Sequence, residues 1–195
     1  ANIQPVHVLR ISATPTSKGD ATEVISDDEV IAAGLIAKSI SINEGVSASI
    51  QENNNLADDL LLLELADKKR KDIQAEYDKL GLKIRPLVLI QFPNGKDEWI
   101  ERVKETLSNM GYPESSGLVA SWFSGDHPDN PEQIRALDGS YSFLLFKQAI
   151  ATGWDCPRAK ILVKLREGGT EAFNVQTVGR IRRMPQRKHY DNEIL

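Results

Sequence analysis

Apolar residues recur along this chain with two different periods, and segments of the two kinds alternate. Leu56, Leu60, Leu63, Ala66, Ile73, Tyr77 and Leu80 follow a three-four spacing, and Gly81 supplies a stop, so a helix is predicted over 56–80. Its 60–65 run, Leu-Leu-Leu-Leu-Glu-Leu, is wide enough for burial on more than one side. Residues 86–92, Pro-Leu-Val-Leu-Ile-Gln-Phe, are continuously apolar and bounded by Pro86 and Pro93, as expected of a strand buried on both faces. A second helix follows Pro93-Asn-Gly-Lys, with Trp99, Val103, Leu107 and Met110 on one face and Gly111 at its end. Residues 118–123, 142–146 and 161–165 read as further strands. A turn-rich segment at 124–140 carries a short helical piece at 132–137. Such alternation predicts an α/β domain with a mainly parallel sheet, whose ligands sit at the carboxyl ends of strands.

The first 50 residues are less regular. Val6, Val8, Leu9 and Ile11 suggest a short strand ending in Ser12-Ala-Thr-Pro15. Residues 17–30 are polar and acidic and read as a connection between domains, with a turn around Ser17–Asp20. The alternation at 39–43 suggests one more strand, and the loop at 51–55 ends in an Asn suited to cap the next helix. No start signal opens the chain, so it is expected to be cut from a longer one. The expected division is 1–27, the end of one domain with its connection, and 28–195, a second domain.

Composition narrows the class. The 195 residues are 41% hydrophobic and 27% charged, which fits one globular domain with an appendage. No apolar run reaches the ~18 residues of a membrane span, and no signal-peptide pattern is present. The lone cysteine, Cys156, excludes an internal disulfide and a cysteine-based zinc site, and the expected compartment is a reducing cytoplasm. Cys156 reads as a small buried residue, since no base stands near it in sequence. His7, His127 and His189 offer no metal spacing, so no metal site is expected from side chains here. Net charge is −4, yet Lys147 to Tyr190 holds ten Lys and Arg against three Asp and Glu. The remainder holds fourteen against twenty-five. A basic block on an acidic body suits one phosphate-facing surface.

Two constellations lie in that block. Residues 170–185 read as a helix of three to four turns, capped by Thr170 and closed by Pro185, with Phe173, Val178 and Ile181 or Met184 as its buried face. Arg180 and Arg183 are three apart and share a side, Gln176 stands one turn earlier, and Gly179 removes a side chain beside them. An amide and two guanidinium forks on one face suit a phosphate that gains charge during transfer, while a plain solvated surface is the structural alternative. The other constellation, Lys147-Gln-Ala-Ile-Ala-Thr-Gly-Trp-Asp-Cys-Pro157, offers Gly153 for close approach and Asp155 as a carboxylate. Asp155 serves there either a nucleotide or local backbone amides.

In order along the chain, Ser12-Ala-Thr-Pro, Leu87-Val-Leu-Ile-Gln-Phe-Pro-Asn-Gly, Ala151-Thr-Gly-Trp-Asp-Cys-Pro and Gln176-Thr-Val-Gly-Arg-Ile-Arg-Arg-Met-Pro resemble motifs III to VI of superfamily 2 helicases. The last two look like the Res subunit of type III restriction-modification enzymes. That resemblance implies a RecA-like, P-loop NTPase type of domain, the C-terminal motor of a helicase. It implies that Arg180, Arg183 and Gln176 face ATP phosphates, with Gly153, Asp155 and Gly179 at the nucleotide. Ser12, Thr14, Lys147 and Thr152 would couple the site to DNA or to the neighbouring domain. ATP and Mg would be held mainly by the first motor domain, and the partners implied are duplex DNA, the first motor domain and a Mod methyltransferase subunit, with no membrane. Two positions depart from the pattern: Lys147 stands where many relatives carry threonine, and Thr177 where many carry arginine.

No Gly-x-x-x-x-Gly-Lys-Ser/Thr loop and no Walker-B acidic pair occur in this sequence, so the chain alone is expected to lack ATPase activity. The nuclease of such an enzyme would lie outside it. Another superfamily 2 DNA or RNA helicase, or a non-catalytic nucleic-acid-binding module, are the alternative readings.

Overall fold

The computed structural model describes residues 22–42, 56–95, 97–123, 128, 130–147, 154–165 and 177–195, with backbone only at 56–59. Helix α1 spans Asp27–Ala32, α2 Leu56–Lys79, α3 Asp97–Asn109 and α4 Pro131–Arg135. Strands β1 (Leu87–Gln91), β2 (Val119–Trp122), β3 (Phe143–Phe146) and β4 (Ala159–Lys164) form one sheet in the order β2-β3-β1-β4. Every pairing is parallel, with Val88 opposite Phe143 and Ile161, and Val119 opposite Phe143. The chain therefore has the α/β layout expected, a parallel sheet flanked by helices.

The sheet divides the core by residue parity. Val88, Ile90, Phe143, Leu145 and Val163 face α2 and α3, where Leu63, Ala66, Ile100, Val103 and Leu107 cover them. Leu87, Leu89, Leu144 and Phe146 face the other way, against Ile134, Trp154 and Cys156. All five β1 residues are buried, which is why Leu87 to Ile90 are apolar without alternation, with the polar Gln91 at the strand's end. Helix α3 ends as expected at a left-handed glycine, Gly111. Among the described residues, no helix is long and apolar enough to cross a membrane.

Helix α2 follows the predicted stripe at Leu63, Ala66, Ile73 and Tyr77, all buried. The expectation of double-sided burial at 60–65 is corrected: Leu60 and Leu61 are exposed, and Leu62 and Leu65 only partly covered. The sheet and the C-terminal segment need one helical stripe to cover them, and that stripe begins at Leu63. Residues 39–42 form no strand, contrary to the alternation seen there. Ile40 and Ile42 are exposed, so no second face exists to reward a period of two.

The polar segment before residue 30 holds more structure than its composition suggested. Ser26 caps α1, its hydroxyl accepting from the Glu29 amide at 3.3 Å while its own amide donates to the Glu29 carboxylate at 2.7 Å. These hydrogen bonds hold the Glu29 carboxyl below its ordinary range. The chain then runs along the C-terminal segment: Ala37 N donates to Arg182 O, Met184 N to Leu35 O, and Ile36 bridges Arg183 antiparallel. Gly34, at φ +72°, makes the approach feasible, since a Cβ there would stand 2.9 Å from Lys188 Cα and 3.0 Å from Arg187 O. Gly34→Ala is expected to cost about 1–3 kcal/mol, read as a lower urea midpoint. An unchanged midpoint would show that residues 22–42 unfold separately from the sheet.

Candidate arginine site at the amino edge of the sheet

The turn entering β4 is organised by a buried cation. Arg158 is wholly buried, and its Nε donates to Ile134 O at 2.7 Å while Nη1 donates to Arg85 O at 2.7 Å and Tyr141 O at 2.9 Å. Those carbonyls belong to α4 and to the residues just before β1 and β3. One guanidinium thus ties the amino ends of three strands to a helix, and burial lowers its pKa. Beside it the Cys156 thiol is buried against Ile134 O, and burial pushes its pKa up to about 11. That is the inert state expected of this cysteine.

With the turn fixed, Trp154 and Asp155 receive the basic segment. Residues 177–181 are helical, and Arg180 Nη1 donates to Trp154 O while Arg183 Nη1 pairs with Asp155 Oδ1. The two arginines therefore converge on adjacent residues 26 and 28 positions earlier in the chain. Their burial differs. Arg180 is 7% exposed, its pKa lowered by burial and then by the charge of Arg183, whereas the Arg183 side chain is 41% exposed. Gly179 directly precedes Arg180 in sequence, and a Cβ there would meet nothing within 4 Å among the described residues. The fold leaves open space at that position.

The buried face of the segment agrees with the prediction at Met184 and differs from it at Val178. Thr177, Arg180, Met184 and Pro185 are buried, while Val178 is only partly covered. Arg180 points inward because the Trp154 carbonyl needs a donor. Thr177 is 5% exposed and so belongs to the interior. Helical geometry ends before the predicted limit at 185, since Arg183 has already passed into the bridge with Ile36.

Lys147 is not part of this cluster. It follows Phe146 at the carboxyl end of β3, pairs with Asp97 at the start of α3, and stands 5.9 Å from the Phe123 ring centre. Asp155 instead precedes Ala159, which pairs with Leu87 at the amino end of β1. The segment 147–157 thus begins at one rim of the sheet and ends at the other, correcting its assignment to a single carboxyl end. Ser12, Thr14, Thr152, Gly153 and Gln176 lie outside the described residues, as do His7, His127, Thr170 and Phe173. The basic block is corrected likewise: Arg158 and Arg180 are internal, and Lys147 lies on the far rim.

Lys160 supports the site from behind. Its ammonium donates to Arg183 O at 2.7 Å and lies 3.9 Å from Met184 Sδ, and burial lowers its pKa from 10.5 to about 8. Because the folded value lies below the unfolded one, the cost of burying this charge is fully present below about pH 8. It disappears as pH rises towards 10.5. Stability of the wild type relative to Lys160→Met should therefore climb by about 1–3 kcal/mol across that window. Denaturant titrations at pH 7 and pH 10 read this directly, and parallel curves would remove Lys160 as the cause.

Among the described residues, no group of three or more His, Cys, Asp or Glu side chains is placed to hold a metal ion. Comparison with family models, with curated proteins and with solved structures finds no match for this chain.

Proposed function

We propose that the chain is the second RecA-like motor domain of an ATP-driven translocase acting on duplex DNA, of the kind found in type III restriction endonucleases. The observation that carries this reading is the meeting of the two motif candidates. Arg180 and Arg183 reach Trp154 and Asp155, although the intervening strand separates them in sequence. In this reading Arg183, exposed beside the open space at Gly179, would face the phosphates, and Arg180 would hold the turn that presents it. Bound ATP with Mg supplies the transferable phosphoryl group and the charge those guanidiniums would meet. The residues here fit the phosphate end alone, since no carboxylate cluster accompanies them to ligate Mg among the described residues. The test is steady-state ATPase of the longer protein this domain would belong to, with and without duplex DNA. Stimulation by duplex, with a methyltransferase copurifying, supports the restriction motor, whereas stimulation by RNA alone points to another superfamily 2 helicase.

A second reading has its own observation. Both guanidiniums already hold acceptors within the chain, as in a clasp that only fastens the C-terminal segment. Gly179→Ala separates the two. A glycine in a helical turn costs about 0.5–1 kcal/mol against alanine, so the variant should be as stable as the wild type or more so. If the open space serves a ligand, turnover falls although stability does not. Full turnover in Gly179→Ala would favour the clasp.

A further inference from the structure

A cavity of about 810 Å³ opens between α2, β4 and the C-terminal segment. Its size lies in the range of about 300–1,000 Å³ typical of small-molecule sites. Leu62, Leu65, Ile73 and Ile161 give it apolar walls. Lys160 also lines it, and that ammonium has only the Arg183 carbonyl and the Met184 thioether as partners, with no carboxylate paired to it among the described residues. A buried cation without a counter-charge is costly, and an anion delivered by a ligand would offset the cost. The other charged residues lining the cavity are Lys38, Lys69 and Lys164, with His189, beside Asp191 and Glu193.

We propose that this cavity is a binding site for an amphipathic carboxylate, its head group meeting Lys160 and its apolar body lying along α2. The basic lining residues outnumber the acidic ones, a balance that favours an anionic group in the cavity. The proposal stands apart from the motor reading, because it concerns another cavity and needs neither ATP nor DNA.

The experiment is calorimetric titration of the 195-residue chain with decanoate, and with 1-decanol as the uncharged control. Decanoate should bind about tenfold more tightly or better, the equivalent of one useful ion pair. Lys160→Met should erase that preference while leaving decanol affinity unchanged, and Lys160→Arg, which keeps the charge, should retain part of it. Ile73→Trp, which fills the space, should block both ligands. Equal affinities in the wild type, a preference surviving Lys160→Met, or no binding at all would each overturn the proposal.

Discussion

Replacing Arg158 with alanine is expected to leave the chain largely unfolded in water at neutral pH. The side chain supplies the donors for Ile134 O, Arg85 O and Tyr141 O, and it is wholly buried. Alanine would orphan three carbonyls and open a void where strands β1, β3 and β4 begin. Each orphaned buried acceptor costs about 1–3 kcal/mol. The void left by a large side chain adds to that. Domains have only about 5–15 kcal/mol to lose. Arg158→Lys should fare little better, because a point charge cannot serve carbonyls arrayed around a planar fork. Urea unfolding followed by tryptophan fluorescence gives the result. A midpoint within error of the wild type for either variant would mean that water takes over the role of the guanidinium.

Under the motor reading proposed above, Arg183→Ala should remove most DNA-stimulated ATPase, by roughly 10³–10⁵-fold as loss of an arginine finger does. Arg180→Ala should lower it by loosening the turn that presents Arg183. The structure predicts that the two losses differ in kind. Arg183 is half exposed and its pairing with Asp155 is a surface ion pair. Such pairs contribute about 0–1 kcal/mol, so Arg183→Ala should keep its fold and lose turnover. Arg180 is buried on the Trp154 carbonyl, so Arg180→Ala should lose turnover together with about 1–3 kcal/mol of stability. Wild-type turnover in Arg183→Ala would remove the residue most exposed to a ligand and, with it, the motor reading of this site.

What was legible in the sequence followed from periodicity. Strand β1 is apolar from Leu87 to Ile90 because both its faces are covered, and α2 shows its stripe because one face is. Such patterns are legible where the fold covers the faces they imply, as it does not at Ile40 and Ile42 or at Leu60 and Leu61. The Ser26–Glu29 capping box was local, a Ser-x-x-Glu that the acidic composition of residues 17–30 obscured. The roles of the cations were not legible. Arg158, Lys160, Arg180 and Arg183 all raise the same charge count, yet they meet three strand-end and helix carbonyls, the Arg183 carbonyl, the Trp154 carbonyl and a carboxylate respectively. Which acceptor converges on which guanidinium depends on segments far apart in sequence. No spacing rule carries that information.

The order of strands also sets the order in which the chain can fold. Val88 pairs with Phe143 on one side and Ile161 on the other, so the central strand emerges from synthesis well before either neighbour. Until then Leu87–Gln91 is an unpaired apolar ribbon, the kind of segment that seeks other chains. Pro86 and Pro93 flank it, and proline at the ends of such a run hinders continuation of a cross-strand ladder. Pairings across such separations close slowly. Productive folding thus depends on the wait, and a nascent chain truncated before Phe143 should aggregate through β1 even though α2 is already complete.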